Sequence, residues 1–142
     1  MTLGWDGNIV VWDIESGNFK YKYPKIESKW HVGCLSHDDK FLVGCTYDCE
    51  VRLYSLVAEK FLHLNKESEM SYDLCFTLDN SFVVSALPNA SLVLYASADL
   101  SRLRYIHGHY APIPYISCSL DGKYLISGSN TETIIWSVPS LE

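Results

Sequence analysis

The chain repeats itself, and the repeat constrains its fold more than any other feature. Four apolar runs each end on an aromatic residue and one further residue: Ile9-Val10-Val11-Trp12-Asp13, Val51-Arg52-Leu53-Tyr54-Ser55, Leu92-Val93-Leu94-Tyr95-Ala96 and Thr133-Ile134-Ile135-Trp136-Ser137. The aromatic positions 12, 54, 95 and 136 are 42, 41 and 41 residues apart. A second register keeps the same period. Ser36-His37-Asp38-Asp39-Lys40-Phe41-Leu42-Val43 returns as Thr77-Leu78-Asp79-Asn80-Ser81-Phe82-Val83-Val84, and again as Ser119-Leu120-Asp121-Gly122-Lys123-Tyr124-Leu125-Ile126. One period in two independent registers marks a structural unit of ~40 residues.

The runs are five or six residues long and rich in Val, Ile, Leu, Phe and Tyr. That length suits strands and is too short for typical helices. Asp38-Asp39, Asp79-Asn80 and Asp121-Gly122 separate neighbouring runs, and such pairs tolerate the positive φ of a tight two-residue hairpin. Stretches such as Phe41-Leu42-Val43 are apolar at every position, which suits a sheet covered on both faces. With 48% apolar residues among 142, the chain can build a core, and 20% charge is too little for a disordered chain. A formal net charge of −6 argues against nucleic-acid binding, which needs clustered Lys and Arg. The one basic cluster, Lys20, Lys22, Lys25 and Lys29, alternates in part with Tyr21 and Tyr23 and reads as a solvated edge strand.

Four strands per ~40-residue unit is the pattern of a β-propeller. The units resemble WD repeats. Gly108-His109, Ser119-Leu120-Asp121-Gly122-Lys123, Leu125-Ile126-Ser127-Gly128-Ser129 and Trp136 follow that family's pattern, and Gly4 to Asp13 matches its closing half with the Trp-Asp pair. The resemblance covers essentially the whole chain and implies an all-β, partial β-propeller of four-stranded antiparallel blades. With strands A to D named from the axis outward, residues 1–24 end a first blade. Residues 25–65 and 66–107 form a second and a third, and 108–142 a fourth that lacks its outer strand, about fourteen strands in all. A closed propeller of about seven blades needs ~280 residues. The expectation is therefore a fragment, a truncated product or the C-terminal part of a longer propeller, with open blade faces available for self-association.

In the family, a His, a Ser or Thr, an Asp and the Trp form a hydrogen-bonded network within a blade. The resemblance assigns His109, Ser127 and Trp136 to it in the last unit. The turn there is one residue short, so Asn130 or Thr131 stands where Asp is expected. The second unit offers Asp48, with Tyr54 for the Trp and Gly44 for the Ser. The third offers Ser85, Asn89 and Tyr95. No unit has the full set, so the blades should rely on packing more than on the network.

Nothing in the chain reads as a catalytic centre. There is no nucleophile elbow and no phosphate-cradling glycine loop. Asp38, Asp79 and Asp121 recur at the repeat period, so they belong to separate blades. His107-Gly108-His109 lacks further ligands, and Cys34, Cys45 and Cys49 do not supply the four convergent ligands of a zinc site. We expect no metal, no cofactor and no enzymatic activity. Five cysteines without a paired framework read as reduced thiols in the cytoplasm or nucleus. No secretory signal and no run of ~18 apolar residues is present, so no membrane role is expected.

A binding face remains. Loops on a rigid scaffold are the usual carriers of recognition. In the family, partner contacts gather at two alternate residues leading into strand A and at the residue before the turn Asp. The matching residues are Lys29 and His31, Met70 and Tyr72, Pro112 and Pro114, then Trp5 and Tyr47, with Pro88 before Asn89. Trp30, by alternation, should point into packing. The functional expectation is a scaffold that presents these loops to a protein or peptide. The alternatives are a non-catalytic part of a propeller-containing enzyme, or a ubiquitin-ligase substrate receptor. Family members of the latter kind often carry Arg two residues after Trp-Asp, whereas Ile14-Glu15 follows Trp12-Asp13 here.

Overall fold

A computed structural model describes residues 1–23 and 25–138. Their fourteen strands form four antiparallel sheets. The first holds β1 (Thr2–Leu3), β2 (Ile9–Trp12) and β3 (Phe19–Tyr23), in that order. The second holds β4 (Trp30–Leu35), β5 (Phe41–Thr46), β6 (Glu50–Ser55) and β7 (Lys60–Lys66). The third holds β8 (Asp73–Phe76), β9 (Phe82–Ala86), β10 (Ser91–Ala96) and β11 (Arg102–His107). The last holds β12 (Tyr115–Cys118), β13 (Tyr124–Gly128) and β14 (Thr133–Ser137). Each is a meander, and the inner strands β4, β8 and β12 adjoin in series. This is a partial β-propeller.

The sheets are held together face to face. One apolar cluster joins the first and second sheets through Ile9, Ile26, Trp30, Leu42 and Tyr54. A second joins the second and third through Val43, Val51, Leu53, Leu74, Phe76, Val93 and Tyr95. A third joins the third and last through Val84, Leu92, Leu94, Ile116, Leu125 and Trp136. Each fully buried aliphatic or aromatic side chain contributes ~1.5–3 kcal/mol, against ~1 kcal/mol net for an ordinary hydrogen bond, so the inter-blade faces dominate stability. The continuous apolar runs follow from this arrangement. In β5, Leu42 faces the first sheet and Val43 the third.

The turns between the first two strands of a blade are longer than the two-residue hairpins suggested by the sequence. Ser36 N–H donates to the Phe41 carbonyl, Thr77 to Phe82 and Ser119 to Tyr124, so four residues lie within each loop. The positive φ falls on one residue only, Asp39, Asn80 or Gly122. Side chains explain the wider loop. Ser36 Oγ donates to Asp38 at 2.7 Å and accepts from Phe41 N–H at 2.9 Å, while Asp38 also accepts from Lys40 N–H. Thr77–Asp79 and Ser119–Asp121 repeat the arrangement. The hydroxyl donors hold Asp38, Asp79 and Asp121 below the usual carboxylate value.

A further regularity lies at the aromatic residue of the third strand. The pairing with the outer strand slips between Val11 and Trp12, between Leu53 and Tyr54, and between Leu94 and Tyr95. Alternation along the strand turns Tyr54 and Tyr95 toward the preceding blade.

Candidate protein-binding face

Trp5 and Tyr47 hold the same position in the turns that follow β1 and β5. The turn Gly4-Trp5-Asp6-Gly7 closes by Gly7 N–H to the Gly4 carbonyl, and the next by Cys49 N–H to the Thr46 carbonyl. Gly7 and Cys49 both take positive φ, 79° and 61°. Gly7 is also pressed against the segment that leads into β4. A Cβ there would lie 2.1 Å from the Ile26 carbonyl oxygen, and Ile26 N–H donates to the Gly7 carbonyl at 3.1 Å. This close approach leans the first turn over the second blade. Asn8 donates to Asp6 from its backbone and its side-chain amide, which keeps the Asp6 carboxyl below its usual value.

The result is a cluster drawn from two blades. The Trp5 and Tyr47 rings meet edge to face at 5.5 Å, and His31 meets Tyr47 edge to face at 5.0 Å. Lys29 Nζ lies 5.8 Å above the Trp5 ring. His31 reaches Tyr47 because the β4–β5 pairing slips between Trp30 and Val32, leaving His31 unpaired in the ladder. Tyr47 N–H is tied to the Lys29 carbonyl at 3.0 Å, and Ser28 Oγ donates to Asp48 at 2.7 Å. Trp5, Glu27, Ser28, Lys29, Tyr47 and Asp48 line a groove of about 410 Å³. Trp5 remains 67% exposed and Tyr47 41% exposed, whereas Trp30 is 1% exposed and stacks on Phe61. Alternation along β4 thus separates a surface pair from a core anchor.

The other residues of the expected face do not join this cluster. Met70 is half-buried against the core between the second and third sheets. Tyr72 is exposed, with its N–H bound to the Ala86 carbonyl. Pro88 and Pro114 are half-buried and Pro112 is exposed, with buried Ile113 between the latter two.

The network positions diverge from blade to blade. In the last blade Trp136 Nε1 donates to Ser127 Oγ at 2.7 Å, and Ser127 Oγ lies 2.6 Å from His109 Nε2. Trp136 can only donate, so Ser127 Oγ accepts from it; assigning the Ser127 hydrogen to Nε2 leaves the ring proton of His109 on Nδ1. That nitrogen faces Glu132 Oε1 at 3.3 Å, at ion-pair distance but without hydrogen-bond alignment. Glu132 is therefore the acid of this blade, in place of the expected Asn130 or Thr131. Its extra methylene spans the shortened turn, and it also accepts Tyr110 N–H at 3.1 Å.

In the third blade, Ser85 donates to Ser71 at 2.7 Å and is not joined to Tyr95. Tyr95 instead donates to Glu67 at 2.9 Å, and Arg102 pairs with the other Glu67 oxygen at 3.1 Å. Glu67 lies 42 residues before His109 and is nearly as buried. Burial, then the nearby Glu67 charge, pushes the Tyr95 hydroxyl above its usual range. In the second blade, Ile26, Gly44 and Tyr54 occupy these places. Asp48 bonds to Ser28, and the Tyr54 hydroxyl and Trp30 Nε1 have no hydrogen-bond partner among the described residues. Burial pushes the Tyr54 hydroxyl up to about 12. In the first sheet Trp12 Nε1 donates to Thr2 at 2.9 Å.

A family model described as WD domain, G-beta repeat, matches residues 23–55 and 100–137. WD repeat-containing protein SL1-17 of Schistosoma mansoni is 26% identical over 130 residues, which cover 91% of this chain and 43% of that protein. WD repeat-containing protein AAC3 of Dictyostelium discoideum is 23% identical over 151 residues, covering 99% of this chain and 30% of that protein. The chain thus spans less than half the length of either curated relative.

Proposed function

The chain belongs to the WD-repeat family, and from that premise we propose that it is a non-catalytic scaffold that docks a protein or peptide in the groove between its first two blades. The observation that carries this reading is the pair of exposed aromatic rings, Trp5 and Tyr47, brought into contact from equivalent turns of different blades. Large aromatic side chains lose little entropy on binding and dominate interface energetics. Lys29, Glu27 and Asp48 on the rim supply polar partners of both signs. The test is selection from a displayed peptide library, followed by affinity measurement. Trp5→Ala with Tyr47→Ala should weaken every selected peptide at least ~tenfold. Leu120→Ala, at a still more exposed site elsewhere, should change nothing. Equal binding by all three proteins would discard the groove.

The same reading includes association through the two open faces. Ile126 and Ile135 pair across β13 and β14 and are exposed, while their counterparts Val84 and Leu94 are buried against the next blade. On the first sheet, Trp12 and Phe19 are exposed on the side where Tyr54, Tyr95 and Trp136 meet a preceding blade. Light scattering over a concentration series should show association that Ile135→Asp abolishes. The free thiols suit the cytoplasm or nucleus as the place of work.

A further inference from the structure

Three successive inner strands each carry a cysteine: Cys34 on β4 and Cys75 on β8 stand at matching places, opposite Val43 and Val84, while Cys118 on β12 stands one residue beyond the matching Ser117, opposite Leu125. All five cysteines of the chain are free thiols. Cys34, Cys75 and Cys118 share a groove of about 180 Å³ with His37 and Ser117. That space admits a small oxidant. The three are not equivalent. Cys34 is half-buried against the core between the second and third sheets, and burial pushes its thiol up to about 12. Cys75 and Cys118 are half-buried, and their sulfurs lie 3.5 Å apart across the boundary between the third and last blades.

The surroundings give the two sulfurs different roles. The contact between the two sulfurs lowers the Cys118 pKa below its ordinary value and raises that of Cys75. Asp73, Asp79 and Cys34 are the other titratable groups acting on the pair, and each opposes ionisation of a sulfur that it faces. Asp73 also accepts the Ile116 N–H at 2.9 Å, so its carboxylate holds β12 in register with β8. The strand that carries Cys118 is thereby fixed to the strand that carries Cys75.

We propose that Cys75 and Cys118 form an oxidation site for hydroperoxides, which closes into a disulfide between adjacent blades. The Cys118 thiolate attacks the terminal oxygen of the hydroperoxide. The O–O bond breaks, the departing alkoxide or hydroxide takes a proton, and Cys118 becomes a sulfenic acid. The Cys75 sulfur then attacks the Cys118 sulfur, the S–O bond breaks, and the Cys75 proton leaves with the hydroxide as water. Two thiols lose two electrons in all, and one peroxide is reduced. The sulfurs must close from 3.5 Å to ~2.05 Å, which rotation about the two Cα–Cβ bonds can supply while β12 and β8 stay in register.

The experiment treats the folded chain with hydrogen peroxide, blocks remaining thiols with an alkylating agent and maps the peptides by mass spectrometry. The expected product is a Cys75–Cys118 crosslink, formed about tenfold faster than any crosslink in the urea-unfolded chain. In Cys75→Ser, Cys118 should stop at the sulfenic acid and be trapped by dimedone. In Cys118→Ser, Cys75 should stay reduced. Crosslinks that scramble among all five cysteines, or that form no faster than in urea, would overturn the proposal. Because the crosslink is mapped in the unsubstituted chain, the test holds whether or not either variant folds.

Discussion

The second and last blades solve one problem in opposite ways. Both must seat a large aromatic ring from the third strand against the preceding blade. The last blade wires its ring: Trp136 is bound to Ser127, Ser127 to His109, and His109 faces Glu132. The second blade packs its ring. Ile26 takes the place of the His and Gly44 that of the Ser, and Trp30 fills the space. A Cβ on Gly44 would sit 2.6 Å from the Trp30 ring. The third blade stands between them, with Tyr95 wired to a buried Glu67. Wiring fixes ring orientation, provided that every member is satisfied. Packing tolerates orphaned polar atoms, and among the described residues the Tyr54 hydroxyl and Trp30 Nε1 are such orphans. The three blades therefore differ in what they lose when one atom is removed.

The largest effect should come from the packed blade. Trp30→Ala removes the buried wedge over Gly44 and should cost ~3–5 kcal/mol, seen as a lower urea midpoint. Ser127→Ala in the wired blade strands Trp136 Nε1 and His109 together and should cost about 2 kcal/mol. If Ser127→Ala is neutral in the same titration, the wiring carries no stability and the contrast collapses. A matched pair is sharper still. Tyr95→Phe should destabilise by ~1–2 kcal/mol because Glu67 loses a donor, while Tyr54→Phe should be neutral or stabilising by up to ~1 kcal/mol because an orphaned hydroxyl is removed. Opposite signs for one substitution at equivalent positions would establish the difference, and equal signs would refute it.

The smallest effect concerns what these blades share. Asp38, Asp79 and Asp121 have folded values below 3.8. Such groups add stability above their unfolded value and lose it as pH falls through the folded one, so the turns should weaken only below about pH 4. Asp79→Asn should flatten the acid limb of the stability profile, and an unchanged limb would remove this carboxylate from the account.

The fold was legible because the period appears twice, in the aromatic residues and in the turn Asp residues. Burial on both faces followed from runs such as Phe41-Leu42-Val43. The network was less legible. Nine residues, instead of ten, separate Ser127 from Trp136, so counting pointed to Asn130 while reach selected Glu132. Glu67 was visible in principle, because one period before His109 falls on it, but an acid in a His position looks like a solvated charge until Arg102 and Tyr95 are in place. Trp5 and Tyr47 could be placed on one face from their spacing. Their contact depends on how closely Gly7 approaches Ile26, and no one-dimensional pattern encodes that distance.

The apolar clusters have a mechanical meaning. Among the described residues each is shared by two successive blades and none by three. Couplings of this kind act in series. A pull on the two ends of the chain would load three joints one after another, and the weakest would open first while the others kept their shape. Strength under tension would then be set by one joint, whereas resistance to heat draws on all three.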